Sequence, residues 1–504
     1  MTTKSILASS LRLTPLSACL ALAFAGGALA TTGADKTLPM GLHAASRLQA
    51  MKPGKATHAP SRPARAPGPA AMDTVLNCLD DNSAGSLRNV VMGAASGDTI
   101  NLSGLTSCPG SKITLASGEI AVAQADLTFA GPPLLPNGSP ALTIDANQNG
   151  RALNASGTLE ISNLAIVNGK FNADDALAAG GCIYAHLDET LTHSSVSNCT
   201  VSGQYAQGGG IYSYLGGVTL VNSTVSNNTA LATTTAVGME TQIQAVGGGV
   251  YSYLALSLTN STVSGNQAKI GTAGTATAYA TFGGGIGISA NSTDHHTITG
   301  STISGNSANY GGGIEANGYL TITNSTFSGN SASAGTSGSF GPGSGAVSAY
   351  FTLGLTLQNS TIAFNSSAGY TGGVFAPNAG TLTINSTIIS NNTAADPGFA
   401  ADLGAYTAIT VSGANSLITS SDDVVTFDNP PLTVDPVLRA LANNGGPTQT
   451  HALIASSPAV ATGNNAAILT TDQRGPGFPR SIDGLTDIGA FELGNDRIFA
   501  NGFE

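Results

Sequence analysis

Tryptophan is absent from this 504-residue sequence, aromatic residues make up 5% of it, and charged residues make up only 9%. The 41% of hydrophobic residues recur at regular intervals, which argues against a disordered chain beyond the N-terminal region. The net charge of −11 argues against nucleic-acid binding, because an acidic body repels phosphate backbones. Beyond the N-terminal signal region, no stretch is long and apolar enough to span a membrane as a helix.

The N-terminus has the pattern of an export signal followed by a linker. Residues 1–30 combine a basic start, an apolar run from Leu13 to Gly27 and the small-residue cleavage motif Ala28-Leu29-Ala30. Leu16–Cys19 also resembles a lipoprotein box, but most of the apolar run follows Cys19, which favours ordinary cleavage. Residues 31–72 are basic and rich in Ala and Pro, and they predict a flexible linker.

Four cysteines remain after cleavage: Cys78, Cys108, Cys182 and Cys199. An even number in an oxidising compartment allows two disulfides, and proximity in the sequence favours the pairs 78–108 and 182–199. The alternative is four buried free thiols.

Most of the chain repeats one pattern, which is shortest in Gly311–Ala332. Three glycines precede Ile314, a turn is predicted at Asn317-Gly318, an alternating strand follows, and Gly329-Asn330 predicts a second turn. Three short strands with Gly/Asn corners in about two dozen residues are typical of one coil of a parallel β-helix. The fold class predicted is all-β, a single-stranded right-handed parallel β-helix of about ten coils over residues 73–430.

Two landmarks recur in these coils. One is a glycine run before an aliphatic residue, and the other is Asn-Ser-Thr or a variant of it. A further asparagine follows the second landmark by six residues, at positions 228, 266, 306, 330, 365 and 391, and Cys199 fills this slot in the first of these coils. An asparagine amide can donate to the same residue in the next coil, so this column is predicted to be structural.

Both ends of such a stack need a cap, because the terminal coils bury their apolar residues on one side only. Leu87, Val90, Val91 and Ala94 share one face of a predicted short helix with Ser86 as its N-cap. This helix is predicted to cap the N-terminal end, and residues 435–492 are predicted to cap the other.

The C-terminal residues carry a resemblance to a known family. They contain, in order, the motifs Asp435-Pro436, Asn444-Gly445-Gly446-Pro447-Thr448, Thr450-His451-Ala452-Leu453, Asp472-Gln473-Arg474-Gly475 and Asp487-Ile488-Gly489-Ala490-Phe491-Glu492. Residues 431–493 thereby resemble the choice-of-anchor Q region of bacterial secreted β-helix proteins, with Ala461 where that family usually has Asp. The resemblance implies an exported protein, and residues 494–504 resemble a sorting tail.

The coils carry a second resemblance. The glycine-aliphatic landmark and Phe327-Ser328-Gly329-Asn330 are similar to repeats of polymorphic outer-membrane proteins. The similarity covers residues 150–400 and implies exposure at the cell surface.

One group of polar residues could carry chemistry. Asp174, Asp175, His186, Asp188 and His193 lie within about one coil, and in an extended chain His186 and Asp188 point to the same side. They could hold a cation or form a general acid/base pair, and a solvated loop rim is the simpler interpretation. Asp294-His295-His296 is a second metal candidate, also interpretable as an exposed loop. Asp472 and Arg474 are predicted to form a structural ion pair.

The sequence favours an exported, non-catalytic surface or adhesion-type β-helix protein, without a catalytic residue or cofactor. The alternative is a polysaccharide lyase or hydrolase, with Asp174, Asp175, His186 and Asp188 as candidate catalytic residues and Ca²⁺ as the candidate cofactor. A passive structural protein of the envelope is the third possibility. Glycans or host-cell molecules are the expected partners of a monomer on the outer surface of a Gram-negative bacterium.

Overall fold

The computed structural model describes residues 70–234, 242–272, 278–288, 294–333, 343–378 and 380–494. All of them lie in one compact unit, residues 39–504. The predicted signal peptide, the linker up to residue 69 and the predicted tail from residue 495 lie outside the described residues, and these domain boundaries remain predictions.

The described residues form a right-handed parallel β-helix of three sheets, which confirms the predicted fold class. The coils between residues 170 and 394 contribute to a front sheet, a back sheet and a side sheet, and the coils at either end contribute to the front and back sheets. Its 21-stranded front sheet contains Met72–Thr74, Thr99–Asn101, Ile120–Val122, Asp126–Ala130, Leu153–Ala155, Thr158–Ser162, Ile183–Ala185, Glu189–Thr192, Ile211–Ser213, Val218–Val221, Val250–Ser252, Leu256–Thr259, Ile286–Ile288, His295–Thr299, Ile314–Thr323, Val347–Gln358, Val374–Phe375, Thr381–Asn385, Leu403–Gly404, Ile409–Ser412 and Val425–Phe427.

The other two sheets run along the same stack. The back sheet contains Lys112–Thr114, Leu142–Asp145, Leu164–Val167, Ser195–Ser197, Thr224–Ser226, Thr262–Ser264, Thr302–Ser304, Thr326–Ser328, Thr361–Ala363, Ile388–Ser390 and Leu417–Ile418. The side sheet contains Lys170–Ala179, Thr200–Gln207, Thr229–Ala232, Gln242–Val246, Gln267–Ile270, Ala278–Phe282, Ser307–Ala308, Ser331–Ala332, Ser366–Ser367 and Thr393–Ala394. Leu441–Ala442 and Thr450–His451 form a separate antiparallel pair.

The front sheet has two parallel tracks in most coils. The glycine track follows the glycine run, as in Ile211–Ser213, and the threonine track follows one corner later, as in Val218–Val221. Alternate residues of both tracks point inward, so Ile211, Val218 and Leu220 are all fully buried in the core. The glycines make the corner possible, since a Cβ on Gly248 would lie 2.2 Å from the carbonyl oxygen of Gly284 in the next coil.

The N-terminal cap has the form that the sequence predicts. Helix α1, Leu87–Gly93, begins at Ser86, whose Oγ accepts a hydrogen bond from the Asn89 backbone N–H. Leu87 and Val91 are buried against the first coils. Gln124 Nε2 donates to the carbonyl oxygens at the helix C-terminus and thereby satisfies groups that a helix end leaves unpaired.

The asparagine column is a continuous hydrogen-bonded ladder, as predicted. Asn306 is typical: its Nδ2 donates to Asn330 Oδ1 at 2.9 Å and to the Val263 carbonyl oxygen at 2.9 Å. The ladder runs from Cys199, whose N–H donates to Asn228 Oδ1, to Asp402, which accepts from the last asparagine. Buried amides are satisfied at every step, so the column specifies the register of the coils.

Two details of the column differ from the prediction. Its last asparagine is Asn392 and not Asn391, because Ser386 takes the place that Asn359 has in the coil before. The left-handed conformation is adopted by the residue before each ladder asparagine, such as Asn227 (φ 56°) before Asn228. The ladder asparagines therefore contribute their amides, and their predecessors turn the corner.

The turn predicted at Asn317-Gly318 is wrong. Ile314–Thr323 is one continuous ten-residue strand that joins the glycine and threonine tracks. Its pairing with Val347–Gln358 shifts register between Glu315 and Asn317 and again between Gly318 and Tyr319, which marks bulges.

The C-terminal residues lie along the side of the stack, whereas the sequence predicted an end cap. Residues 431–494, here called the C-terminal brace, bond to successive coils from Gly300 to Asn415. An apolar cluster of the brace with two back-sheet residues holds it in place, and its buried members are Ile388, Leu417, Leu453, Ala459, Ile488 and Phe491. A small part of the brace does extend the end of the stack, since Leu432 pairs with Leu417 of the last back strand.

The brace has its own charged core. Arg474 pairs with Asp472 at 2.6 Å, which confirms the predicted ion pair, and its guanidinium lies between the rings of Phe478 and Phe491. Arg480, which is fully buried, pairs with Glu492 Oε2 at 2.7 Å. Burial is the largest cause that raises the pKa of Glu492 to about 7.

Candidate functional site

Among the described side chains, His186, Asp188 and His193 do not form one site. His186 and Asp188 lie on the corner between Ile183–Ala185 and Glu189–Thr192, and the extended conformation assumed for them is wrong. Asp188 is exposed, and its Oδ1 accepts a hydrogen bond from the Gly217 backbone N–H at 2.8 Å. The backbone of Asp174 and Asp175 lies in the side-sheet strand Lys170–Ala179, and their side chains lie outside the described residues.

His193 lies at the far end of the strand Glu189–Thr192, away from His186. It adopts a left-handed conformation (φ 48°) in the corner slot that Asn222 fills in the next coil. The ring Nε2 of His193 lies 3.2 Å from Asn222 Nδ2. His193 is therefore a corner residue.

The histidines of Asp294-His295-His296 point to opposite faces of the strand His295–Thr299. His295 is exposed and stacks on Tyr319, with ring centroids 4.7 Å apart. His296 is buried in the core, and its Nδ1 accepts a hydrogen bond from the Leu256 backbone N–H. Burial lowers the pKa of His296 to about 4, so the ring stays neutral. The two rings cannot bind one metal ion together.

Among the described residues, no group of three or more His, Cys, Asp or Glu side chains is close enough to hold a metal ion.

The corner that holds His186 carries a patch of half-buried rings and exposed leucines. His186 lies 5.1 Å from Tyr214, and Tyr214 lies 6.4 Å from Tyr253, measured between ring centroids. Leu187 and Leu215 beside them are 39% and 44% exposed. These five residues, here called the corner patch, occupy equivalent positions in three successive coils.

A stacked row of tyrosines supports the corner patch. Tyr184, Tyr212 and Tyr251 follow the aliphatic residue of each glycine run, and their ring centroids are 5.4 and 5.0 Å apart. Their rings are buried, with Ala179 and Val246 packed over them. Burial raises the pKa of Tyr184 to about 12 and that of Tyr212 well above its ordinary value, so these rings are neutral. The row fixes the backbone of the corner that presents Tyr214 and Tyr253.

The sequence contains a signal for this patch that lies outside the two landmarks of the coils. The glycine runs of two adjacent coils are followed by Ile-Tyr-Ser-Tyr and Val-Tyr-Ser-Tyr, at residues 211–214 and 250–253. Parallel in-register pairing stacks equal positions of successive coils. A repeated aromatic at one position therefore predicts an aromatic row.

Two carboxyl groups that no sequence motif singles out are buried in the structure. Glu189 points into the core between Leu159 and Val218 of the neighbouring rungs, and neither of its oxygens has a hydrogen-bond partner among the described residues. Glu315 is only 6% exposed. Burial raises the pKa of each of these carboxyls to about 8, so both are protonated at neutral pH.

The four cysteines form the two disulfides suggested by their spacing. Cys78 joins Cys108 beside the N-terminal cap, and Cys182 joins Cys199 at the start of the asparagine ladder. Disulfides form and persist in oxidising compartments, so these two disulfides are typical of an extracellular or periplasmic protein. No helix in the described part of the chain is long and apolar enough to cross a membrane.

Comparison with known proteins agrees with the fold. Residues 255–429 match the family model of the right-handed β-helix region. The fold and this match together define a right-handed parallel β-helix protein, an architecture shared by enzymes and by non-catalytic surface proteins. Neither the curated proteins nor the solved structures gave a match to the chain.

Proposed function

We propose that this chain is an exported, non-catalytic surface protein that binds glycan chains at the corner patch. The observation that carries the proposal is the register of His186, Tyr214 and Tyr253, whose rings follow one another on successive coils. Sugar rings have apolar C–H faces that pack on aromatic side chains, and exposed apolar patches on a soluble protein mark binding sites. A chain of sugars could contact one ring per coil.

The surroundings of the patch favour binding over cleavage. Glycoside hydrolysis by the usual route needs two carboxyl groups across the scissile bond. Next to the patch stands Asp188, whose Oδ1 is engaged by a backbone N–H. Export is supported by the disulfides and by the sequence pattern of residues 1–30. The resemblance of residues 431–493 to the choice-of-anchor Q region supports a surface location.

A binding comparison tests the proposal. Affinity electrophoresis of the purified protein in gels containing soluble polysaccharides should show retardation by at least one neutral or acidic glycan. In the double variant Tyr214→Ala, Tyr253→Ala, the affinity obtained from this retardation should fall at least tenfold. Tyr319→Ala removes an exposed, stacked ring elsewhere on the front sheet and should bind normally. Equal retardation of all three proteins would place binding elsewhere.

The enzymatic alternative has its own test. A polysaccharide lyase or hydrolase would depolymerise its substrate, and the lyase reaction is expected to need Ca²⁺. We expect no rise in reducing ends or unsaturated products with the glycans that bind. Turnover that is lost in Asp174→Ala or Asp188→Ala would overturn the non-catalytic assignment.

A further inference from the structure

The outward residues of the threonine track form an uncharged, regular lattice. One column consists only of threonine and serine in eight successive rungs: Thr190, Thr219, Ser257, Thr297, Thr321, Thr356, Thr383 and Ser412. The second column, two residues further along each strand, consists of Thr192, Val221, Thr259, Thr299, Thr323, Gln358 and Asn385. Together these columns are here called the open hydroxyl face.

The spacing of this face is fixed in both directions by the backbone. Rungs of a sheet are about 4.8 Å apart, and alternate residues of a strand are about 6.6 Å apart. The register is unbroken from Glu189–Thr192 to Thr381–Asn385, because the bulges of Ile314–Thr323 lie before Thr321. Differences in coil length leave the register intact, since the paired residues of the face stay aligned through coils of unequal length.

The side chains of the face are pre-ordered. Threonine is β-branched and has few χ1 rotamers in a strand, so holding it in place costs little entropy. Each hydroxyl can donate one hydrogen bond and accept two, and each methyl group covers apolar surface. Thr297 and Thr299 at the centre are exposed, and Thr297 Oγ1 lies 3.3 Å from Ser257 Oγ of the preceding rung.

The charge of the face selects its partner. None of its 15 positions carries a charged side chain, although the protein has a net charge of −11. A charged polymer or peptide would find no complementary group there. An ice surface is neutral and presents hydrogen-bond donors and acceptors in a rigid, regular lattice.

We propose that the open hydroxyl face binds ice crystals. Hydrogen bonds from the ordered hydroxyls and contact of the methyl groups would act together over many rungs, which gives adhesion without any single strong contact. This activity is separate from glycan binding, since the corner patch lies on a different part of each coil.

Ice recrystallisation provides the test. Purified full-length protein at micromolar concentration should stop the coarsening of ice grains in a frozen sucrose solution and should partition into a slowly growing ice hemisphere. The double variant Thr297→Lys, Thr321→Lys places two flexible charges on adjacent rungs of the face. It should require at least a tenfold higher concentration for the same inhibition.

A matched variant controls for charge and stability. Thr200→Lys, Thr229→Lys changes two threonines on adjacent rungs of the side sheet and should inhibit as the original protein does. Thermal unfolding verifies that both variants fold, and Tyr214→Ala, Tyr253→Ala should retain full ice activity. The proposal is overturned if the original protein leaves grain growth unchanged, if both lysine variants lose activity equally, or if the face retains a crystalline polysaccharide but not ice.

Discussion

Two faces of this β-helix carry columns of threonine and serine, and only one of them is covered. On the back sheet, Thr302, Thr326 and Thr361 are buried under the C-terminal brace. On the threonine track, the residues of the open hydroxyl face are all at least partly exposed except Thr323, which is buried. The same repeat pattern thus produces both faces, and the outward hydroxyls alone do not determine whether a partner covers them.

The covered face shows how such hydroxyls are used within the protein. Thr326 Oγ1 donates to Gln473 Oε1, and Gln473 Nε2 donates to Thr302 Oγ1 at 3.0 Å. Next to them, His451 Nδ1 donates to the Arg439 carbonyl oxygen, so its Nε2 accepts from Ser328 Oγ at 2.9 Å. Gln473 and His451 of the brace therefore each meet a hydroxyl of the back sheet in a fixed position. The difference between the faces lies in the brace, which supplies both these partners and an apolar anchor.

Removal of the brace should have the largest effect. Deleting residues 431–504 would expose Ile388 and Leu417 and leave the hydroxyls of the covered face without partners. From the apolar burial alone, we expect a loss of at least about 5 kcal/mol in the free energy of unfolding. The truncated protein should also self-associate in size-exclusion chromatography with light scattering. A truncation that stays monomeric and equally stable to heat would show that the brace is not a structural part of the stack.

The next largest effect is expected from a buried carboxyl group on one of the strands that carry the open hydroxyl face. Glu189, on the strand that carries Thr190 and Thr192, has a folded-state pKa raised from 4.5 to about 8 by burial. The folded protein retains this proton while the unfolded chain loses it, so stability falls as the pH rises from about 4.5 to about 8. Glu189→Leu should remove this loss and stabilise the protein at pH 9 by on the order of 4 kcal/mol.

Urea unfolding at pH 5 and pH 9 measures the effect. Glu189→Gln is the matched control, since it removes the titration of Glu189 without adding an apolar side chain. It should lose the part of the pH dependence that comes from Glu189 while gaining less stability. Glu315 contributes a similar slope and remains in both variants. A difference between Glu189→Leu and the original protein that is the same at both pH values would contradict the assignment.

Much of the architecture could be predicted from the sequence because a solenoid repeats its local rules. The glycine runs, the Asn-Ser-Thr corners and the asparagine slots each specify one step of the coil, and their register follows from stacking. Ser386 shows the limit, since a one-residue displacement moved the last ladder position from Asn391 to Asn392. The turn predicted at Asn317-Gly318 is wrong for a related reason. Gly318 does adopt a positive φ of 70°, but its strand accommodates this conformation as a bulge.

The site and the brace were less predictable because they depend on contacts between distant residues. The motifs of residues 435–492 gave no indication that Thr448 would bond to Gly300, 148 residues away. Glu315 is buried although it carries an ionisable side chain, and no sequence motif marks it as buried. His186 and Asp188 were grouped by sequence proximity, whereas Tyr214 and Tyr253 join His186 through the stacking of coils.

A matched pair of substitutions within one coil isolates the smallest effect. Thr321 lies on the open hydroxyl face and Thr326 on the covered one, five residues later. Thr326→Val removes the donor to Gln473 Oε1 in a fully buried interface, which should cost about 1–3 kcal/mol in the free energy of unfolding. Thr321→Val makes the same change of hydroxyl to methyl on the open face, where water replaces the lost contact, and should stay within about 0.5 kcal/mol. Urea unfolding of both variants measures the difference, and equal costs would mean that the brace does not use the hydroxyl column as the geometry indicates.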